Sequence, residues 1–165
     1  MELWDILDVN GNKTGKTGIR GQTLKDGEYH LVVHIYIINS KKEFLIQKRS
    51  MKKDLWPGQW DMTGGSVVSG EDSLTGAIRE VEEELGITLM PEMFSLVTRL
   101  KRKDSFVDIW AAYTDVSLDS VTMQEDEVDE VKFVKAEDMI QIVFNACYRD
   151  TEYREAMASF IKALK

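Results

Sequence analysis

Residues 65–87 read GSVVSGEDSLTGAIREVEEELGI, and the pattern within them sets the frame for the rest of the chain. Over residues 73–85 the apolar side chains Leu74, Ala77, Ile78, Val81 and Leu85 recur at helical spacing, so one stripe of a helix faces a core. Gly86 supplies the C-terminal stop, because glycine enters the left-handed conformation without steric cost. Glu80, Glu83 and Glu84 fall at i, i+3 and i+4 on a different face. Like charges at that spacing repel, each pair costing roughly 0.2–0.5 kcal/mol. Arg79, one turn before Glu83, relieves part of this, and a hard divalent cation relieves more. Gly64-Gly65 lets the backbone come close to such an ion, Gly70-Glu71 opens the helix, and Arg79 is placed to pair with Glu71 or Glu83 and orient the ligands.

The stretch fits G-x5-E-x7-R-E-U-x-E-E-x-G-U, with U aliphatic, through Gly65, Glu71, Arg79, Glu80, Val81, Glu83, Glu84, Gly86 and Ile87. Seven identities at ordinary residue usage arise by chance at about 10⁻⁸ per starting position. It is identified as a Nudix box. The resemblance implies an α/β fold, an α/β/α sandwich with a mixed sheet. It implies a Mg²⁺-dependent hydrolase, with Mn²⁺ as substitute, that cleaves a diphosphate linked to another moiety. It also implies that Glu80 and Glu84 are the principal metal ligands, that the Gly64 carbonyl joins them, and that Glu83 is a third ligand or the base that activates water. A downstream acid of the run TMQEDEVDEV, Glu125, Asp126 or Glu127, is the candidate to complete the site, and a solvated loop is the alternative.

Outside the box, WDILDVNGN at residues 4–12, His30, FLIQKRS at 44–50 and WPGQWD at 56–61 resemble the branch with type I isopentenyl-diphosphate isomerases and their hydrolytic relatives. That resemblance places Arg49 and His30 at the substrate. The isomerases carry a Cys just before the box and a Glu further on, but here Gly64 takes the first position, and around Ser105–Ala112, where the second would fall, there is Asp108 but no Glu. Hydrolysis therefore fits the residues better than isomerisation. Pro91 follows the box too closely for the marker of ADP-ribose hydrolases, and no NADH-hydrolase extension is visible. A nucleoside diphosphate derivative is the expected substrate, with a non-nucleotide diphosphate second. An isomerase-like enzyme and a non-catalytic binding module are the alternatives, and the intact carboxylates argue against the module.

The chain has 165 residues, 43% hydrophobic and 30% charged, which suits one domain over 1–165 with a real core. Of the net charge of −8, the segment 71–84 carries six acids against Arg79, so the rest is only mildly acidic. Nucleic-acid partners are not favoured by that balance, a small anionic substrate is, and a homodimer is compatible with it. No apolar run spans a membrane, the N-terminus is no signal peptide, and a single Cys147 suits a reducing cytoplasm.

Strands are predicted at 3–9, 31–38, 44–48, 94–101, 106–113 and 131–134, with a polar, glycine-containing stretch from the turn at Asn10-Gly11 to Gly27. Two helices close the chain, from about residues 136 and 151, the second with Tyr153, Met157, Phe160, Ile161 and Leu164 toward the core. GNKTGKT at 11–17 mimics a phosphate-binding loop but is one residue short, and Gly18 and Gly21 interrupt the helix that should follow, so it reads as a polar turn. His30 and His34 share a strand face and suit hydrogen bonding near the cleft or core better than metal ligation. Cys147 reads as a small buried hydrophobe. Of two basic clusters, Lys48, Arg49, Lys52 and Lys53 includes the phosphate candidate Arg49, whereas Arg99, Lys101, Arg102 and Lys103 reads as solvated.

Overall fold

The alternation of Val33, Ile35 and Ile37 with His34, Tyr36 and Ile38 gives one strand two buried faces, and the molecule is built around it. The computed structural model describes residues 1–146 and 149–164, so the reading of Cys147 lies outside the described residues. The central strand is β3 (His30–Ile38), reached through β1 (Leu3–Leu7) and β2 (Lys13–Ile19). After it come β4 (Phe44–Arg49), β5 (Trp60–Asp61), β6 (Thr63–Ser66) and helix α1 (Ser73–Leu85). Then follow β7 (Phe94–Lys101), β8 (Ser105–Tyr113), β9 (Val128–Val134), α2 (Ala136–Asn145) and α3 (Thr151–Ala163).

The sheet is mixed. β3 runs parallel to β8 with His34 opposite Ile109, and β7 pairs antiparallel with β8. On its other edge β3 takes β6 over Val32–Ile35 and β4 at Ile37 and Ile38. β4 also pairs with β5 and β9. Because strand side chains alternate, Val33, Ile35 and Ile37 meet Ala77, Val81 and Leu85 of α1 on one face. Tyr36 and Ile38 meet Met139 and Val143 of α2 and Tyr153, Met157 and Ile161 of α3 on the other. Each such fully buried large apolar side chain stabilises by roughly 1.5–3 kcal/mol. Helices thus cover both faces of a mixed sheet, an α/β architecture. No helix among the described residues is long and apolar enough to cross a membrane.

Two local expectations are corrected. The stretch after Asn10-Gly11 is not irregular throughout: Lys13–Ile19 forms β2 and pairs with β1 in a separate two-stranded sheet. The phosphate-loop mimic lies in that hairpin, and its Lys13 is occupied by Asp5 at 2.6 Å and the Glu71 carbonyl at 2.8 Å. The basic cluster at 99–103 is not simply solvated either. Arg99 makes a two-pronged ion pair with the buried Asp108 (2.6 and 2.7 Å), Lys101 donates to the Val9 carbonyl, and Arg102 pairs with Asp150 at 3.2 Å.

Candidate active site

Helix α1 begins where Asp72 accepts a hydrogen bond from the Thr75 amide at 2.8 Å, so the cap is Asp72 rather than Gly70-Glu71. It ends at Gly86, whose φ of 64° and amide bond to the Glu82 carbonyl close the last turn. Between these stops the helix lies on β6 and β3, and the i, i+4 pair Glu80 and Glu84 points inward against β6 while Glu83 stays exposed. Gly65 is glycine for space: a Cβ there would overlap the Glu80 carboxylate. The carboxylate therefore lies against the bare backbone of Gly64-Gly65 in β6.

Each acid has a definite partner. Arg79 Nη1 donates to Glu80 at 2.9 Å and to Glu83 at 3.0 Å, while its Nε and Nη2 hold Glu71 at 2.9 and 3.2 Å. Nη2 also reaches the Ser66 carbonyl at 3.0 Å, tying the helix to the end of β6. Glu84 accepts from Gln47 Nε2 at 2.8 Å and from the Gly64 amide at 3.4 Å. Gln47 in turn accepts from Thr63, which fixes its amide orientation. Gln47 was not expected at the site, and nothing in the spacing of β4 marks it.

Burial pushes the Glu84 carboxyl up to about 8, with the charges of Glu80 and Glu127 adding to the shift and the Gln47 hydrogen bond opposing it. Glu80 is raised too, by burial first, with Arg79 opposing. A carboxyl whose folded pKa exceeds its unfolded value binds more protons when folded, so stability falls as pH rises between the two values. For Glu84 that window runs from 4.5 to about 8. His34 acts oppositely: burial and the cations Arg149 and Arg102 depress it to about 3, so its contribution rises with pH up to 6.5. Above pH 6.5 only the Glu84 slope remains of the two. In EDTA, the melting temperature is expected to fall from pH 6.5 to 8, and to fall less in Glu84→Gln. Equal slopes in the two proteins would refute the assignment.

Glu80, Glu83 and Glu84 line a cavity of 280 Å³ together with Arg20, Arg49 and Lys53. Of the downstream acids, Glu127 lines it and binds Lys53 Nζ at 2.6 Å, whereas Glu125 and Asp126 pair with the exposed Lys52. A second cavity of 160 Å³ shares Arg20, Arg49, Gly64 and Gly65 with the first and continues to His34, Trp56 and Asp61. The two form one bent cleft. Arg49 stands at the bend, its Nε donating to the Leu55 carbonyl at 3.1 Å. His30 is not among the residues lining either cavity; it stacks on Trp4 with ring centroids 4.0 Å apart. His34, four residues further along the same face, lines the cleft in its place. Lys53, of the first basic cluster, lines the cavity beside Arg49, whereas Arg20 and Gln124 were unanticipated: they arrive from a hairpin end and a loop, where no periodicity announces them.

The NUDIX domain model matches residues 28–160. The chain belongs to the Nudix family. An uncharacterised Nudix hydrolase of Listeria monocytogenes is 43% identical over 140 residues, 84% of this chain and 83% of that protein. Nudix hydrolase 3 of Arabidopsis thaliana is 35% identical over 83% of this chain, which corresponds to 20% of the plant protein. The crystal structure of DR0079 from Deinococcus radiodurans superposes with a TM-score of 0.73 at 17% identity, covering 98% of both chains, and so shares the fold. The protein is thus a hydrolase of phosphorus-containing anhydrides.

Nudix hydrolases generally use divalent metal ions. Among the described residues, no three carboxylates, imidazoles or thiols stand gathered around one point. The expected convergence of Glu80, Glu83 and Glu84 is thus not the arrangement seen, because Arg79 draws Glu80 and Glu83 while Gln47 draws Glu84. The donor set still fits such an ion. It consists of hard oxygens, burial raises the Glu84 carboxyl to about 8, a shift that a bound cation would oppose, and the missing Gly65 Cβ leaves Glu80 against the Gly64-Gly65 backbone.

Proposed function

We propose that this hydrolase cleaves the diphosphate bond of a nucleoside diphosphate linked to another moiety, with Mg²⁺ as activator and Mn²⁺ as substitute. The observation that carries the reading is the 280 Å³ cavity, in which three helix carboxylates face Arg20, Arg49 and Lys53. Glu80, Glu84 and the Gly64 carbonyl would hold the ion, which when bound neutralises diphosphate charge and lowers the pKa of water. Arg79, anchored by Glu71, keeps Glu80 and Glu83 in place. Glu83 is the most exposed of the three acids and is our choice for the base that takes the proton from the attacking water. Arg49 and Arg20 at the bend of the cleft are placed to meet the phosphate oxygens, where fixed charge and positioning supply most of the acceleration.

The isomerase alternative is disfavoured by two features. Gly64 offers no thiol, and Asp108, the acid at the isomerases' second position, is 1% exposed and engaged by Arg99. The test is phosphate release from a set of nucleoside diphosphate compounds, with isopentenyl diphosphate as a separate arm. Turnover on at least one nucleotide, lost in EDTA and restored by Mg²⁺ or Mn²⁺, is the expected result. No turnover on any nucleotide, or dimethylallyl diphosphate formed above a boiled control, would overturn the reading.

Gly65→Ala provides a second check. Its Cβ displaces the Glu80 carboxylate, and misplacing a reactive group by about 1 Å costs on the order of 10²-fold in rate. Turnover within twofold of wild type, in a folded variant, would mean that Glu80 does not need its observed position.

A further inference from the structure

The second cavity of the cleft has a floor of buried polar groups that the hydrolytic step does not use. His34 Nδ1 lies 2.8 Å from the Tyr153 hydroxyl, and that hydroxyl lies 2.9 Å from the hydroxyl of Tyr36. Tyr36 is 1% exposed and Tyr153 fully buried. Beside them the Arg149 guanidinium stands 5.0 Å from the Tyr153 ring and donates to Asp61 Oδ1. His34 and Asp61 are the two members of this cluster that reach the cavity wall.

The direction of the hydrogen bonds follows from satisfying every buried hydroxyl. If Tyr153 donated to Tyr36, the Tyr36 proton would be left without an acceptor among the described residues, a costly arrangement for a buried donor. If Tyr36 donates to Tyr153, and Tyr153 to His34 Nδ1, each hydroxyl proton has its acceptor. The imidazole then carries its hydrogen on Nε2, the ring nitrogen with no protein partner among the described residues. Asp61 presents the complement. Its Oδ1 accepts from the Met62 amide and from Arg149, while Oδ2 receives no hydrogen bond among the described residues, although Asp61 is only 3% exposed.

A third wall is aromatic. Trp56 lines both this cavity and the adjoining one at Arg102–Ser105, sharing Val32 and His34 with it. Its φ of 51° is one that bulky residues seldom adopt, and the turn holds it there through the bond from the Gln59 amide to the Trp56 carbonyl. Met62 and Val32 add apolar surface.

We propose that the pocket formed by His34, Asp61 and Trp56 is a nucleobase site, in which His34 Nε2–H donates to, and Asp61 Oδ2 accepts from, the edge of a planar heterocycle lying against Trp56. The proposal rests on the nucleotide hydrolase reading and deepens it. An adjacent acceptor and donor is what the edges of adenine, guanine, cytosine and uracil all present, so the pocket selects a base over an apolar chain without selecting strongly among bases. A purely hydrocarbon moiety would leave both buried polar atoms unpaired, and a site built for hydrogen bonding rejects such an analogue. Tyr153, Tyr36 and Arg149 are positioning residues: they set the imidazole tautomer and hold Asp61 in place.

Calorimetry with Mg²⁺ and non-hydrolysable probes tests this. The probes are α,β-methylene-ADP, α,β-methylene-UDP, the methylene analogue of isopentenyl diphosphate, and methylenediphosphonate as the version without an organic moiety. Both nucleotides are expected to bind wild type at least about tenfold tighter than methylenediphosphonate, the prenyl analogue showing no such excess. His34→Phe should reduce the nucleotide excess by about three- to tenfold with methylenediphosphonate affinity unchanged. His34→Gln, which can place an amide N–H near the Nε2 position, should recover most of it. Should His34→Phe melt early, Tyr153→Phe serves instead: it keeps the ring, frees the tautomer, and should lose part of the same excess. An excess unchanged in folded His34→Phe or Tyr153→Phe overturns the proposal, as does a prenyl analogue that binds as tightly as the nucleotides. Loss spread equally over all probes also overturns it, since that marks a structural role. If methylenediphosphonate fails to bind and no diphosphate is hydrolysed, both this site and the hydrolase reading fall. An excess that is absent while methylenediphosphonate binds and hydrolysis proceeds removes the base site alone.

Discussion

Glu83→Gln is expected to lower kcat by about 10²–10⁴-fold, the range for losing a positioned general base. The reason lies in how differently the three acids of α1 are held. Glu84 is 5% exposed, bonded to Gln47 and, through burial, pushed up to about 8, which suits it poorly to take a proton as a free carboxylate. Glu80 is nearly as buried and pressed against the Gly64-Gly65 backbone of β6. Glu83 has a side chain 53% exposed, pairs with Arg79 at 3.0 Å, and opens onto the cavity that water must enter. Losing an exposed pair of this kind changes stability by no more than about 1 kcal/mol, so a fall in rate would not reflect unfolding. Steady-state kinetics beside a melting curve separate the two effects. Unchanged turnover would pass the role of base to another group, with Glu127 next in line because it lines the same cavity.

The helix and its acids were legible because local rules govern them. The 3.6-residue stripe, Gly86 at the stop and the i, i+4 glutamates act within one segment, and α1 spans the residues that the pattern marked. The terminal helices and β3 were legible for the same reason. β2 was not: Lys13–Ile19 reads KTGKTGI, five of its seven residues are exposed, and neither face buries an apolar row. It is a strand because β1 pairs with it, and no local propensity shows that. β5 and β6 are two and four residues long, too short for any period to register.

The site divides along the same line. Glu80, Glu83, Glu84, Arg79 and Glu71 belong to one helix and its entry, so their spacing put them beside one cavity, although not the way Arg79 and Gln47 divide the acids between them. His34, Asp61 and Tyr153 come from β3, β5 and α3. His34 and Tyr153 meet across 119 positions, and Asp61 and Arg149 across 88. A sequence gives no sign that two polar residues so far apart will be buried together. The reading of His30 failed on this point. It and His34 look alike in sequence, and only the packing of the β1–β2 hairpin puts Trp4 over one while Tyr153 takes the other.

Arg149→Met should cost about 3–5 kcal/mol of stability, as expected for a buried ion pair that loses one partner. Arg149 is 2% exposed and Asp61 3%, so the carboxylate left behind has little access to water and only Arg49 as a remaining counter-charge. The double change Arg149→Met with Asp61→Leu should recover much of the loss, because an apolar pair of similar volume carries no desolvation penalty. A pH dependence distinguishes this mechanism from simple loss of packing. Burial already raises the Asp61 carboxyl, and the Arg149 charge is the main force holding it down. Removing that charge raises it further. A carboxyl raised in the folded state binds more protons there, so stability falls as pH climbs from its unfolded value toward the raised one. Arg149→Met should therefore lie closer to wild type at pH 5 than at pH 8 in urea titrations, and the double variant should lose that difference. A deficit that is the same at both pH values would mean that Arg149 stabilises the protein by filling space, with its stems packed on Tyr153, and not by balancing Asp61.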